Sequence, residues 1–194
     1  ENWISIQRLT LGFDSSNDAS KILVDCFSII SMLTNLQNLS LFVYADYPDH
    51  KIDDWLKVSL LDSIQQLRHL KKLCIMYNRK LDDTFFSSDS LLMSQFNGLE
   101  EIELDLERTL LSDKGISSLA KIISRCTKLT KIYLRFRIKE EKNSLEALIV
   151  SIAKVIKTRF VDIKIQRQSA GNKNLGNSIF SKYFECKDWK VCEI

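Results

Sequence analysis

Residues 112–134 read SDKGISSLAKIISRCTKLTKIYL, and this stretch contains one complete unit of a helix and a strand. Its first half has the three- and four-residue apolar spacing of a helix with one buried face, at Ile116, Leu119, Ala120 and Ile123. Its second half ends in Ile132-Tyr133-Leu134, where apolar and polar residues alternate as in a half-buried strand. The stretch therefore predicts a helix followed by a strand with one wet side.

The strand half of this unit recurs along the chain at a nearly constant interval. Each copy has an apolar residue, a second one three positions later and a third two positions after that. The copies begin 30, 34, 29, 30 and 31 residues apart, which predicts units of similar size that stack on one another. The copies are Ile6-Leu9-Leu11, Leu36-Leu39-Leu41, Leu70-Leu73-Ile75, Leu99-Ile102-Leu104, Leu129-Ile132-Leu134 and Phe160-Ile163-Ile165.

Helical spacing lies between the strands, and side chains that can cap a helix stand where the helices should start. A unit of one strand and one helix cannot bury its apolar face alone, whereas stacked units share a continuous core. The sequence thus predicts an α/β fold, a curved solenoid with a parallel sheet on the concave side and helices on the convex side. The candidate capping residues are Asp18, Asp53, Ser88 or Asp89, Ser112 or Asp113, and Asn143 or Ser144.

The chain resembles the leucine-rich-repeat proteins, in particular the ribonuclease-inhibitor-like subclass, whose repeats are long and whose outer segment is a helix. The resemblance is carried by the repeated strand pattern and by residues 113–120, DKGISSLA, which are similar to the helix opening of that family. The position two residues beyond the strand core, usually Asn or Cys in the family, holds Asn78 in the third copy and other residue types elsewhere. A continuous asparagine ladder is therefore not expected.

Two segments are distinguished. Residues 1–168 are assigned to the repeat solenoid, and residues 169–194 to a C-terminal segment in which Ile179, Tyr183 and Phe184 have helical spacing. Because the last unit of a solenoid exposes its apolar interior, one expectation for this segment is a terminal cap. The other expectation is an aromatic segment that docks onto a partner, so that either the concave face or this tail carries the main interface.

Composition limits the classes of partner and the compartment. The 194 residues carry a formal net charge of +3, which is too small and too evenly mixed to indicate nucleic acid or an anionic membrane as an obligatory partner. No apolar run approaches the ~18 residues of a membrane-spanning helix. Five widely spaced cysteines favour a reducing, intracellular compartment, with the cytoplasm as the expected location. Because the chain begins at Glu1, we expect a processed protein or a piece of a larger one.

The residues that flank the apolar strand positions are expected to point to the concave side, where a protein partner would bind. Their charges allow two interpretations: cross-strand ion pairs, or the polar rim of an interface around an apolar patch of Phe42, Cys74, Met76 and Tyr133. The candidate partner-binding residues are Phe42, Lys72, Met76, Glu101, Glu103, Asp105, Lys131, Tyr133, Arg135 and Lys164.

No motif assembles a catalytic or cofactor site. A carboxylate and imidazole cluster at residues 46–54 lacks a recognised ligand spacing, and a solvated loop is its simpler interpretation. Residues 171–178, GNKNLGNS, have the glycine spacing of a phosphate-binding loop, but Asn177 stands where the lysine is required. Cys186 and Cys192 offer too few ligands for a zinc site. We therefore expect no catalytic residues, no metal and no cofactor.

These observations predict a non-enzymatic protein-protein interaction module, a scaffold or assembly subunit of a larger complex, with protein partners and no small-molecule substrate. The resemblance implies this, since proteins of the ribonuclease-inhibitor-like subclass mostly present a curved surface to another protein. The alternative is the ligand-sensing or substrate-recruiting repeat region of a larger protein that is immune-receptor-like or F-box-like. The fold alone does not choose between the two.

Overall fold

A computed structural model of the chain has an α/β fold in which the described strands form a seven-stranded sheet. The strands are β1 (Arg8–Asp14), β2 (Asn38–Tyr44), β3 (Lys72–Tyr77), β4 (Glu101–Leu111), β5 (Lys131–Ile138), β6 (Phe160–Arg167) and β7 (Trp189–Glu193). The helices are α1 (Ala19–Ser31), α2 (Asp113–Arg125) and α3 (Lys142–Val155). The structure describes residues 5–14, 19–44, 60, 62–64, 66–77, 98–138, 142–155, 160–167 and 189–193.

The strands lie side by side in the order in which they occur in the chain, and every neighbouring pair is parallel. The prediction of an α/β fold with a parallel sheet is therefore confirmed. Parallel neighbours require a crossover connection, and α1, α2 and α3 occupy the connections after β1, β4 and β5. Residues 60 and 62–64, between β2 and β3, are also helical.

One side of the sheet is buried and the other is accessible, because buried and more accessible residues alternate along β2, β5 and residues 101–106 of β4; in β3 the buried Cys74 interrupts the alternation. In β2, Leu39, Leu41 and Val43 are buried, whereas Ser40 and Phe42 between them are only half-buried. The strand β5 has the same alternation. The buried side chains of the strands join those of α2 and α3 in one apolar cluster, in which α2 packs against α3. The core therefore lies between the helices and one side of the sheet.

The first strand is less well covered than its interior neighbours. Leu9, Leu11 and Phe13 lie in register with Leu39, Leu41 and Val43 of β2, but they are only partly buried against the core. Phe13 also contacts the ring of Phe27 on α1 edge to face, with 6.3 Å between the ring centroids. The difference arises because, among the described strands, β1 is at the edge of the sheet and has a neighbour on one side only.

The helix starts test the predicted caps. Ser112 caps α2 with an extended backbone, and its hydroxyl accepts a hydrogen bond of 3.2 Å from the backbone N–H of Lys114, which confirms this prediction. The predicted cap at Asn143 or Ser144 is wrong, since α3 begins at Lys142 and both residues lie inside its first turn. The candidates Asp18, Asp53, Ser88 and Asp89 lie outside the described residues.

A repeated backbone contact fixes the register where the strands begin. The carbonyl of Gln7 accepts hydrogen bonds from the N–H groups of both Gln37 and Asn38, at 2.9 and 3.0 Å. The same two-donor contact recurs at the carbonyls of Gln37, Lys71 and Glu100, each accepting from the residue pair that opens the next strand. Because the contact uses only backbone atoms, it does not depend on which side chains stand at these positions.

Two features of the sheet differ from the sequence prediction. In the sixth copy Phe160 lies opposite Lys131, so Ile163 pairs with Leu134 and Val161 with Ile132; the predicted alignment of Ile163 with Ile132 is wrong by two residues. A shift of two residues keeps every side chain on its predicted side of the sheet. The strand β7 continues the sheet within the C-terminal segment and was not predicted; Ile179, Tyr183 and Phe184 of that segment lie outside the described residues.

Candidate functional site

The accessible side of the sheet, which we call the polar face, presents three rows of side chains that run across the strands. The parallel register places one residue of each strand in each row, except that β7 has none in the first row, and neighbouring strands are about 4.8 Å apart. The first row is Arg8, Asn38, Lys72, Glu101, Lys131 and Phe160; the second is Thr10, Ser40, Cys74, Glu103, Tyr133, Asp162 and Lys190; the third is Gly12, Phe42, Met76, Asp105, Arg135, Lys164 and Cys192.

All of the predicted partner-binding residues stand at positions of the polar face. Lys131 is exposed, and Lys164 is placed in the third row, opposite Arg135, by its backbone pairing. The others are half-buried: Phe42, Lys72, Met76, Glu101, Glu103, Asp105, Tyr133 and Arg135. The alternation in the sequence was sufficient for this placement, because successive residues of a strand point to opposite sides of the sheet, so that the parity of a residue's position in the strand decides its side.

Within the first row, and likewise within the third row, charged side chains of neighbouring strands form ion pairs. The Glu101 carboxylate lies 3.2 Å from the Lys72 Nζ and 3.7 Å from the Lys131 Nζ, so it sits between two ammonium groups. In the third row Asp105 and Arg135 are 3.4 Å apart. The interpretation as cross-strand ion pairs is therefore confirmed for these residues. Because the pairs are partly exposed, each contributes only ~0.2–1 kcal/mol to stability.

Cys74 lies in the second row but is not accessible. It was expected to belong to an exposed apolar patch, and this is wrong: its side chain is short, it lies between the Ser40 and Glu103 positions, and only 3% of the residue is exposed. Burial, followed by the charge of Glu103 and a hydrogen bond to it, raises the pKa of Cys74 to about 12. Near neutral pH the residue is therefore a protonated thiol beside a carboxylate.

Glu103 differs in its neighbours from Glu101 and Asp105, the acidic residues two positions before and after it in β4. Its register partners are the uncharged Cys74 and Tyr133, whereas Glu101 and Asp105 each have a basic residue in the adjacent strand. Within the part of the chain that the structure describes, no lysine or arginine forms a salt bridge with Glu103 at 4.0 Å or less. The second row therefore has a half-buried carboxylate whose charge is not balanced by a direct ion pair among these residues.

The strands β1 to β3 contribute an uncharged patch, defined as Gly12, Phe42, Tyr44 and Met76. Phe42 lies between Gly12 and Met76 in the third row, and Tyr44 follows it on the same side of β2 with half of its surface exposed. Apart from its two chain neighbours, none of the described residues has an atom within 4 Å of the point where a Cβ of Gly12 would stand; we call this open position, next to Phe42 in the row, the notch. Sequence analysis missed Gly12 and Tyr44, although their parity places them on this face.

The remaining chemically reactive residues do not assemble into a second site among the described residues. Cys126 is fully buried, its thiol donates to the Ile122 carbonyl at 3.3 Å, and burial raises its pKa to about 12, which fits a structural role. His69 is exposed in the turn before β3. No group of three or more potential metal ligands occurs in the described ranges, and the clusters at 46–54 and 171–178, like Cys186, lie outside them.

Across the described ranges, none of the helices combines the length and apolar character needed to cross a membrane. No protein-family model matches the chain, and a search of curated proteins finds no similar sequence.

Proposed function

We propose that the chain is a leucine-rich-repeat solenoid of the ribonuclease-inhibitor-like type that works as a non-enzymatic protein-protein interaction module inside the cell. In this proposal it is a scaffold or assembly subunit of a larger complex. The sheet is the concave side of the solenoid, and the polar face binds the partner.

The observation that carries the proposal is a parallel sheet with one accessible side. Parallel sheets of ordinary α/β proteins are covered by helices on both sides, and their strands are apolar along their whole length. Here β2, β5 and residues 101–106 of β4 alternate between buried and more accessible residues, and the polar face presents half-buried Phe42, Met76 and Tyr133 beside charged residues. Aromatic and methionine side chains within a polar surround are typical of protein interfaces. A stack of strand-helix units leaves one sheet side accessible in this way.

The spacing of the register partners supports the repeat. From Leu9 in β1, the matching residues follow at Leu39, Leu73, Ile102, Ile132, Val161 and Trp189, at intervals of 30, 34, 29, 30, 29 and 28 residues. An α/β fold that reverses its strand order would not keep chain order across the whole sheet. The near-constant interval and the sequential order together favour stacked units.

The direct test is purification of the endogenous full-length protein with quantitative mass spectrometry of the proteins that accompany it. A constant stoichiometric set would support an assembly subunit. Accompaniment by ligase or immune-signalling components would favour the alternative, a substrate-recruiting or ligand-sensing repeat region of a larger protein. Failure to retain any protein under mild conditions would refute the interaction function.

The surface involved is tested with a pair of matched variants. Phe42→Asp places a charge in the centre of the polar face and should abolish retention of the partner set. Met32→Asp, at a site just after α1 that is 70% exposed and away from the polar face, makes the same kind of change and should leave retention intact. Both variants should keep the far-ultraviolet circular dichroism of the wild type, because neither side chain belongs to the apolar core. Equal retention by both would place the interface elsewhere.

A further inference from the structure

We propose that the uncharged patch and Glu103 together bind an extended protein segment that seats an apolar side chain over Gly12 and directs a lysine or arginine to Glu103, about four residues further along the segment. This inference rests on the proposed function and specifies the chemistry of the partner. It concerns which side chains the polar face selects.

The apolar contact follows from the distribution of charge over the polar face. Around Phe42 the neighbours in the row are Gly12 and Met76, and the neighbours along β2 are Ser40 and Tyr44, none of them charged; charged positions border the patch at Asp14, opposite Tyr44, and at Asp105, opposite Met76. An apolar side chain placed beside Phe42 does not have to break an ion pair of the described residues, and it gains contact with the aromatic ring of Phe42 and the thioether of Met76. The open space above Gly12 gives this side chain a place below the level of the neighbouring side chains.

The basic contact follows from charge complementarity. A partner that lies over the patch and continues across β3 reaches Glu103, and it removes water from this half-buried carboxylate. Desolvation of an unbalanced carboxylate is unfavourable unless a cation meets it. Glu101 and Asp105 do not require such a cation, because Lys72, Lys131 and Arg135 already contact them. Of Glu101, Glu103 and Asp105, Glu103 is therefore the residue that selects a lysine or arginine.

The spacing follows from the geometry of the sheet. Gly12 in β1 and Glu103 in β4 are three strands and one row apart, which is about 16 Å at about 4.8 Å per strand and about 3.3 Å per residue along a strand. Four residues of an extended segment span about 13 Å, and the long side chain of a lysine or arginine covers the remaining distance to Glu103. Residues i, i+2 and i+4 of such a segment point to the same side. The expected motif is apolar, any residue, apolar, any residue, lysine or arginine, with the middle apolar residue over Phe42 and Met76.

The test begins with a random twelve-residue peptide library displayed on phage and selected on the immobilised full chain. Peptides with an apolar residue four positions from a lysine or arginine should be enriched. One such peptide, synthesised with a fluorophore, is then titrated by anisotropy against the wild type and the variants. Enrichment of acidic peptides, or no enrichment over the library background, would overturn the inference.

Variants of the chain localise the contact. Gly12→Phe fills the notch and should weaken binding at least about tenfold, the usual loss at a central interface contact. Gly12→Ala leaves most of the notch open and should bind almost as the wild type does. Gly12 lies in a strand and its φ is outside the left-handed region, so both variants should fold. Equal affinity of Gly12→Phe and Gly12→Ala would overturn the seating over Gly12.

A double-mutant cycle tests the basic contact. Glu103→Gln and replacement of the peptide's basic residue by glutamine should each weaken binding about tenfold, and together little more than either alone. Glu101→Gln is the matched control, since Glu101 already contacts two lysines, and it should change affinity less than about threefold. Selected peptides that bind but respond to neither Gly12→Phe nor Glu103→Gln would overturn this inference and leave the proposed interaction function standing. The absence of any partner of the endogenous protein would instead refute that function.

Discussion

Three leucines in one row of the core allow the effect of position in the sheet to be measured with a single kind of substitution. Leu11 in β1, Leu41 in β2 and Leu134 in β5 occupy the same row, facing the helices. Leu41 and Leu134 are buried, with 1% and 0% of their surface exposed, whereas Leu11 is only partly buried. Replacing each with alanine therefore removes the same atoms from different surroundings.

Leu134→Ala and Leu41→Ala are each expected to lower the free energy of unfolding by about 3–4 kcal/mol, as fully buried leucines do when they leave a cavity. Leu11→Ala is expected to lower it by about 1–2 kcal/mol, because part of its side chain is already in contact with water and less apolar area is lost. A loss of about 3 kcal/mol is a large share of the ~5–15 kcal/mol that stabilises a typical domain. The interior variants should therefore be visibly less stable than the edge variant.

The assay is urea unfolding of the full chain followed by far-ultraviolet circular dichroism, with an unchanged m-value as the check that the same surface unfolds. Thr10→Ala, on the same strand as Leu11 but on the polar face, is the control and should stay within about 0.5 kcal/mol of the wild type. Equal losses for Leu11→Ala and Leu134→Ala would refute the reasoning, since they would mean that the β1 row is as well covered as the interior rows.

Three other perturbations have defined outcomes. Glu101→Gln removes two partly exposed ion pairs and should cost about 0.5–1 kcal/mol in urea unfolding at low salt, a loss that largely vanishes in 1 M NaCl. Ser112→Ala should cost about 1 kcal/mol and Ser112→Asp much less, because only alanine leaves the α2 cap without an acceptor; equal losses would exclude the cap as the cause. Iodoacetamide at pH 8, read by peptide mass spectrometry, should alkylate Cys26 before Cys74 and Cys126, whose pKa values of about 12 keep them as thiols.

The same two thiols make stability depend on pH at the alkaline end. Burial raises the pKa of Cys74 and of Cys126 from 9.0 to about 12, so the folded state holds protons that the unfolded state releases. Their contribution is complete below about pH 9 and is lost as the pH rises from there to about 12. Replacing both cysteines with alanine should flatten this part of a thermal-stability profile; an unchanged slope would assign the loss to other groups.

The strand positions were largely predictable from the sequence, because the apolar spacing depends only on local chemistry. The register of β6 was not predictable, because Phe160 is apolar and fits the first position of the repeated strand pattern. This fit aligned Ile163 with Ile132, whereas Val161, two residues earlier, is the residue that pairs with Ile132. The strand β7 was missed because Trp189 and Val191 follow Cys186 instead of a leucine, although Trp189 lies 28 residues after its register partner Val161.

The sequence was sufficient to predict which residues of the candidate site lie on the polar face, but not their burial or their contacts. Parity placed Phe42 and Glu103 on the polar face without any knowledge of the structure. The burial of Cys74 depends on the lengths of the side chains beside it, and the notch at Gly12 depends on its pairing with Phe42, so neither follows from a single strand. The difference between Glu103 and its neighbours Glu101 and Asp105 could be recognised only from the short distances that join Lys72 to Glu101 and Arg135 to Asp105.

The chain order of the strands also has a consequence for how the protein is made. Each strand pairs with the next one in the sequence, so no part of the sheet has to wait for a segment from the far end of the chain. The loop to be closed is similar at every junction, at 28 to 34 residues, and its entropic cost is therefore similar too. Folding can accordingly proceed from one junction to the next. The pairing of β1 with β2 needs no residue after Tyr44, but because one unit cannot bury its apolar face alone, a stable core forms only when further units have been synthesised and stack on it.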